Sequence, residues 1–282
     1  MSSPSPSSNG KPHNEHRDDL NKIQTAASIP ISPELFEQLY LSPKNKVKGE
    51  LRQKFGNPTP VGKDDSLGGF LLCTTPVSMS LLGWQGAGGF SAAANVGAYF
   101  GLGGLFLTLG GIGEWILGNT FPATVFCLFG GFWLTFGATV VPGSGAYGSY
   151  STTGNVADGM TEPQFYSTFS FFLIAMAILC AIFLVASIRT NIIFFLIFLL
   201  LVPCFSCLSA SFFAVAHGAS DSALTFQHAG AGLLLAVSLL GWYIFFALVL
   251  LSVDFPFCLP LGDLSTVIRG RGDQPKQDVD EV

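Results

Sequence analysis

The central part of the sequence has very little charge. Charged residues make up 11% of the chain, less than half of the roughly 25% that is usual in soluble domains. Between residues 66 and 253 the formally charged side chains are Glu114, Asp158, Glu162, Arg189 and Asp221. So few charges exclude an ordinary soluble domain there, and they offer no basic surface to a nucleic acid. The hydrophobic fraction of 49% indicates that lipid surrounds this part of the chain.

Long apolar runs, separated by Gly, Pro and polar residues, predict six membrane-spanning helices. A helix needs about 20 apolar residues to cross a bilayer. The predicted spans lie near 67–84, 92–113, 121–141, 165–187, 191–214 and 229–253. The predicted fold class is therefore an all-α membrane protein, a six-transmembrane-helix bundle.

Lysine and arginine are missing from three of the five connections between these spans. Nine of the 13 basic residues precede the first span, Arg189 lies between the fourth and fifth, and three follow the last. Cytosolic connections of membrane proteins are enriched in Lys and Arg. Since six spans place all of these basic positions on one side, the N-terminus and the C-terminus are both predicted to be cytosolic.

Composition divides the chain into four parts. Residues 1–28 are rich in Ser, Pro and charge and are predicted to be a disordered cytosolic tail. Residues 29–55 are predicted to be an amphipathic juxtamembrane segment, in which Pro33 follows a capping serine at a helix start. Residues 56–256 form the six-helix domain, and residues 257–282 are predicted to be a cytosolic C-terminal tail.

Glycine recurs at helical spacings in two of the predicted spans. Gly97, Gly101 and Gly104 share a face of the second span, and Gly130 and Gly137 lie seven residues apart in the third. Small residues at such spacings let helices approach closely in lipid. The pattern favours tight packing and a homo-oligomer, although glycine is also simply common in membrane helices.

Groups of catalytic or metal-binding residues are lacking. Cys204 and Cys207 have the spacing of a metal or redox pair, but they lie in a Phe/Leu-rich run without a second pair. Residues 143–148 match a GxGxxG pattern that follows no strand, so a dinucleotide site is not expected. His217 and His228 are interpreted as interfacial residues at the last connection. We expect no enzyme, no cofactor and no metal.

Polar and aromatic residues of the spans instead predict an uncharged path for a small solute. Glu114 is an acid close to a span, and such groups are commonly functional, although a solvated helix-end carboxylate is an equal alternative. Prolines stop a helix at the entry to the first span, and Thr74 and Thr75 precede Pro76 within it. A few donors and an apolar slot suit a short monocarboxylate. The candidate path residues are Asn57, Pro58, Thr59, Pro60, Phe70, Thr74, Glu114, Asn119, Thr120, Phe129, Phe132 and Trp133.

Several of these residues occur in motifs that resemble the acetate uptake transporter family, which includes bacterial succinate–acetate permeases and fungal acetate permeases. The motifs follow the family's order across roughly residues 55–265. They are Asn57-Pro58-Thr59-Pro60 with Gly62, Gly113-Glu114-Trp115 followed by Gly118-Asn119-Thr120-Phe121, Phe129-Gly130-Gly131-Phe132-Trp133-Leu134, His228-Ala229-Gly230, and Leu259-Pro260-Leu261-Gly262-Asp263. The long N-terminal segment and residues 254–257 are similar to the fungal branch.

The resemblance implies six helices around a pore in each subunit, a hexamer, and passage of acetate and similar monocarboxylates, with proton coupling left open. It also implies a narrow apolar constriction. Phe129 takes the position at which the family has an aromatic residue in the pore, and Phe70 takes that of an aromatic residue in the first span. Lys63, Asp64 and Asp65 depart from the family pattern at the cytosolic mouth.

The leading hypothesis is a plasma-membrane transporter or channel for acetate and other short monocarboxylates. Asn57, Glu114, Asn119 and Thr120 are expected at its polar mouth. Two alternatives remain open from the sequence. One is an acetate sensor or regulator without flux, because the Ser/Pro-rich N-terminal segment is a plausible phosphorylation target. The other is an ammonia exporter, because a neutral aromatic path would also pass ammonia.

Overall fold

The computed structural model describes residues 63–253 and 255–264. The predictions for the N-terminal tail, for the juxtamembrane segment, for residues 265–282 and for Asn57, Pro58, Thr59 and Pro60 lie outside the described residues. The side chains of Lys63, Asp64 and Asp65 at the start of the first helix are also outside this description.

Six helices make up nearly all of the described chain. They are α1 Lys63–Leu81, α2 Ser91–Ile116, α3 Thr120–Val140, α4 Pro163–Ser187, α5 Ile192–Ala216 and α6 Ser220–Ser252. Helices α2 to α6 are long and apolar enough to cross a membrane, and the apolar part of α1, Ser66–Leu81, is shorter. β-structure in the described residues is limited to an isolated bridge between Asn191 and Asp263. The described part of the chain is thus all-helical, with five candidate spans and one shorter apolar helix.

The last helix begins earlier than the sequence predicted. Helix α6 starts at Ser220, not near 229, so the α5–α6 connection is reduced to residues 217–219. Asp221 lies in the first turn, where a negative charge stabilises the helix N-terminus. The apolar run that predicted the last span begins only near residue 229, because the first turns of α6 carry polar residues. His228 therefore lies within the helix and not in the connection.

Short connections force neighbouring helices to run antiparallel. The α2–α3 turn comprises residues 117–119, and the α4–α5 turn comprises residues 188–191. The α3–α4 connection, residues 141–162, is long and contains three short 3₁₀ turns. We call the side of the α4–α5 turn the Arg189 face and the side of the α3–α4 connection the long-loop face. Helices α1, α3 and α5 begin at the Arg189 face and end at the long-loop face.

Glycines bring α2 and α3 into direct contact. A Cβ on Gly130 would lie 2.9 Å from Thr108 N and 3.1 Å from Gly104 O, and a Cβ on Gly104 would lie 2.3 Å from the Leu134 side chain. By contrast, a Cβ on Gly97 or Gly101 would meet nothing within 4 Å in the described chain. The predicted glycine packing is therefore present within the described chain at Gly104 and Gly130, whereas Gly97 and Gly101 meet no neighbour in it.

The segment after α6 returns to the α4–α5 turn. Ile192 N donates to Gly262 O at 2.8 Å, and Leu264 N donates to Thr190 O at 2.9 Å. Gly262 has φ +68°, and a Cβ on it would lie 2.5 Å from Ile192 Cγ2. The hydroxyl of Tyr243 in α6 donates to Pro260 O at 2.9 Å. These bonds hold the segment against the α4–α5 turn and against α6.

Candidate functional site

A cavity of about 200 Å³ lies among α1, α3, α4, α5 and α6, towards the long-loop face. Helix α1 contributes a face at helical spacing, because Phe70, Thr74, Val77 and Leu81 follow one another along one side. The cavity is lined by Phe70, Thr74, Val77, Leu81, Gly89, Ser91, Phe129, Phe132, Trp133, Phe136, Tyr166, Leu173, Leu201, Cys204, Phe205, Leu208, Ser211, Phe212, Val215, Gln227 and Leu234. Formally charged side chains and histidine are absent from this lining. It could therefore hold a small neutral or weakly polar solute.

A second, smaller cavity of about 30 Å³ lies towards the Arg189 face. Its lining residues are all apolar. They are Leu67, Phe70, Leu107, Val125, Phe126, Phe129, Phe194, Ile197, Phe198 and Leu201. Phe70, Phe129 and Leu201 line both cavities. These three residues, which we call the constriction, therefore separate the two cavities.

Aromatic contacts fix the geometry of the constriction. The rings of Phe70 and Phe129 meet edge to face, with centroids 5.8 Å apart and an interplanar angle of 88°. Phe129 also contacts Phe198, with ring centroids 6.5 Å apart. Leu201 is 2% exposed and completes the set from α5. The sequence predicted Phe70 and Phe129 but not Leu201, because leucine and other apolar residues dominate this part of α5 and no single leucine stands out.

Trp133 lies one turn beyond Phe129 in the larger cavity and is 3% exposed. Its indole stacks on Tyr99, with ring centroids 5.2 Å apart and an interplanar angle of 25°. Gly103 makes room for it, since a Cβ there would lie 2.6 Å from Trp133 Cγ. Among the described residues, Trp133 Nε1 has no hydrogen-bond partner. The side chain is thus packed among its neighbours, and its single donor is buried without a partner in the described part of the chain.

Thr74 lies one turn beyond Phe70 and is 1% exposed. Its hydroxyl donates to Phe70 O at 3.0 Å, which leaves the oxygen as an acceptor. Phe132 also lines the cavity and packs edge to face on Trp133, with centroids 5.3 Å apart. The structure therefore brings five predicted path residues together: Phe70, Thr74, Phe129, Phe132 and Trp133.

Glu114 and Asn119 form a separate pair at the α2–α3 turn. Glu114 is fully buried, so its interpretation as a solvated helix-end carboxylate is wrong. Asn119 Nδ2 donates to Glu114 Oε2 at 2.8 Å, and Glu114 Oε1 has no hydrogen-bond partner in the described part of the chain. Neither residue lines a cavity, and Thr120 is exposed at the start of α3. These predicted mouth residues thus lie apart from the described cavities.

The end of the larger cavity nearest the long-loop face contains polar residues that the sequence did not single out. Gln227 Nε2 donates to Leu81 O at 2.9 Å and so ties α6 to the end of α1. The hydroxyl of Ser211 donates to Ala223 O at 2.8 Å. Gln227 was missed because the predicted last span began after it. Trp84, which follows the end of α1, is 49% exposed and lines neither cavity.

Several apolar helices around two cavities that share lining residues define a multi-pass membrane protein of the helical-bundle class. The chain belongs to the GPR1/FUN34/yaaH family, whose sequence profile matches residues 40–266. The resemblance to acetate transporters that the motifs indicated is thereby confirmed.

Named proteins are similar to this chain over most of its length. Protein alcS of Aspergillus fumigatus is 43% identical over 241 residues, which cover 84% of this chain and 86% of alcS. Acetate permease A of Emericella nidulans is 29% identical, with 93% of this chain and 83% of the permease covered. Ammonia transport outward protein 2 of Saccharomyces cerevisiae is 31% identical, with 74% and 69% covered. The family relatives are thus named for transport of more than one solute.

The fold is shared with a solved structure, the bacterial acetate channel SatP. The TM-score is 0.51 at 18% sequence identity, and the superposition covers 71% of this chain and 97% of that chain. The helical bundle described above is therefore that of a known membrane protein.

Proposed function

We propose that this protein is a transporter or channel for acetate and other short monocarboxylates. The observation that carries the proposal is the constriction of Phe70, Phe129 and Leu201 between two cavities, which lie on opposite sides of it along the bundle. A narrow apolar ring passes a small solute that sheds its water easily and holds back hydrated metal ions. The names of acetate permease A and of the SatP channel support acetate as the solute.

The proposed topology has six crossings, with α1 as the sixth. Helix α1 packs against α6 and α2 within the bundle and supplies Phe70 to the constriction. The Arg189 face is then cytosolic, because it contains the basic α4–α5 turn. The long-loop face is on the opposite side of the membrane, and the larger cavity opens towards it. We place the protein in the plasma membrane as a homo-oligomer, with a hexamer as the expected form.

Uptake by purified protein in liposomes tests this function. Labelled acetate should enter vesicles that contain the protein faster than protein-free vesicles, and propionate should compete. The Phe129→Trp variant, which narrows the constriction, should lower the rate, whereas Phe171→Trp on the exposed surface of α4 should not. If acetate enters the protein-containing vesicles no faster than it enters protein-free vesicles, the proposal is contradicted.

Ammonia is the second candidate solute. It is favoured by the 31% identity to ammonia transport outward protein 2 and by the absence of charge from the cavity lining. Methylammonium release from the same vesicles separates the two candidates. Release without acetate uptake would assign the path to ammonia, and acetate uptake without release would assign it to monocarboxylates.

A further inference from the structure

We infer that Tyr99 is a positioning residue, whose hydroxyl group holds the connection between α1 and α2 as a closed lid at the long-loop end of the larger cavity. This assignment rests on the proposed function, because the lid then governs access to the proposed path. Three features support it: the place of the connection, the hydrogen bonds at its two ends, and the backbone conformation at the start of α2.

The α1–α2 connection, residues 82–90, borders the larger cavity at both of its ends. Three residues at these ends line the cavity: Leu81, Gly89 and Ser91. Between the ends the connection packs loosely, because residues 83–89 are exposed and a Cβ on Gly86 or Gly88 would meet nothing within 4 Å in the described chain. A segment that is attached at its ends and has few contacts between them opens at a low cost in free energy.

Hydrogen bonds from two side chains tie the ends of this lid to the bundle. At the α1 end, Gln227 Nε2 of α6 donates to Leu81 O at 2.9 Å. At the α2 end, the hydroxyl of Tyr99 lies 3.1 Å from Ser91 O and 3.0 Å from Ala92 O, so both carbonyl oxygens share its hydrogen. Loss of either side-chain donor therefore frees one end of the lid.

The two carbonyl groups that Tyr99 holds belong to residues with an unfavourable backbone conformation. Ser91 has φ +50° and Ala92 has φ +52°, the left-handed region in which the Cβ of a residue comes too close to a carbonyl oxygen. Such a conformation persists only where the surrounding structure imposes it. Because the Tyr99 hydroxyl bonds to both residues, it keeps them in this conformation. Without the hydroxyl, the two residues relax and the end of the lid moves with them.

The wall of the larger cavity fixes the ring of Tyr99. The side chain is fully buried, it stacks on Trp133, and it packs on Phe136 with ring centroids 5.2 Å apart. Both of these neighbours line the larger cavity. The hydroxyl group of Tyr99 is thus held in one place by its ring, and it connects the cavity wall directly to the lid.

Labelling of Cys204 with methyl methanethiosulfonate, a small uncharged thiol reagent, measures the opening of the lid. Cys204 lines the larger cavity and is fully buried, so the reagent reaches it when the cavity opens. The purified full chain carries Cys207→Ser, so that the label on α5 reports Cys204 alone. Cys180 is also buried but lines neither cavity, and its labelling reports loosening of the whole fold. Mass spectrometry of the peptides gives both rates.

Tyr99→Phe keeps the ring and removes the hydroxyl, so Cys204 should be labelled about fivefold faster, the factor expected for one neutral hydrogen bond. Tyr243→Phe is the matched control, because the Tyr243 hydroxyl donates to Pro260 O near the Arg189 face, and its labelling rate should equal that of the wild type. Addition of Ser91→Gly to Tyr99→Phe should slow the labelling again, since glycine adopts a left-handed backbone without strain.

Equal labelling of Cys204 in the wild type and in Tyr99→Phe overturns the inference. An increase that Cys180 or the Tyr243→Phe variant shows to the same extent also overturns it, because the whole fold has then loosened. Faster labelling of Cys204 alone, reversed by Ser91→Gly, supports the lid. The labelling contains no acetate, so a lack of acetate flux in liposomes contradicts the proposed function separately from these rates.

Discussion

Phe70 and Phe129 meet edge to face, with ring centroids 5.8 Å apart, and each of the two rings lines both the larger and the smaller cavity. One ring comes from α1 and the other from α3. Because α1 and α3 are not consecutive in the chain, no single turn sets the relative position of the rings. Their position depends on the packing of the whole bundle. The width of the proposed path therefore depends on this contact and on Leu201, which lines both cavities with it.

Truncation of the constriction should broaden the range of acids that pass. In Phe129→Ala we expect butyrate flux to rise relative to acetate flux, because the apolar ring that limits the size of the solute is lost. The flux ratio in liposomes measures this effect. Phe171→Ala, a change of an exposed ring on α4, is the matched control and should leave the ratio unchanged. An unaltered ratio in Phe129→Ala would place the selective step elsewhere.

Glu114→Gln should preserve acetate flux and its dependence on pH. Glu114 lines neither cavity, and the remaining carbonyl oxygen of Gln can still accept from Asn119. Removal of the acceptor in Glu114→Ala should destabilise the protein by about 1–3 kcal/mol, since Asn119 loses its partner. Thermal unfolding in detergent and uptake at two pH values measure both effects. Loss of pH dependence in Glu114→Gln would instead assign Glu114 to proton transfer.

Gly130→Ala should separate α2 from α3. The new methyl group would lie 2.4 Å from Thr108 Oγ1 and 2.9 Å from Thr108 N, and overpacking of this kind costs about 1–3 kcal/mol. We expect a lower thermal midpoint in detergent. Gly131→Ala is the matched control, because a Cβ there meets nothing within 4 Å in the described chain. Equal midpoints for the two variants would show that α2 and α3 can move apart without cost.

Gly262→Ala should release the C-terminal segment from the α4–α5 turn. Its left-handed backbone costs a non-glycine residue about 1–2 kcal/mol, and the added methyl group would meet Ile192. Gly154→Ala has the same backbone penalty, with φ +83°, but no neighbour within 4 Å among the described residues. Limited proteolysis after residue 254 should therefore be faster in Gly262→Ala than in Gly154→Ala. Similar rates would mean that the contact with Ile192 does not hold the segment.

Only some of the residues that line the proposed path could be predicted from the sequence. Motifs and helical spacing singled out Phe70, Thr74, Phe129 and Trp133, because polar and aromatic residues stand out in an apolar span. Leu201 could not be found in this way, since a leucine in an apolar helix has no distinguishing neighbours. Glu114 was found, but the sequence left a solvated helix-end carboxylate as an equal alternative, because a helix-end position does not reveal what packs over it.

The sequence by itself determined the class of the protein, the number of apolar segments and the family. These follow from hydropathy, from the distribution of Lys and Arg, and from local motifs, none of which needs knowledge of how the helices meet. The tertiary structure alone decided that Phe70, Phe129 and Leu201 line both cavities and that Trp133 Nε1 is buried without a partner among the described residues. In lipid the apolar faces of helices do not select their partners by burial, so these contacts depend on close packing at glycines such as Gly103 and Gly130.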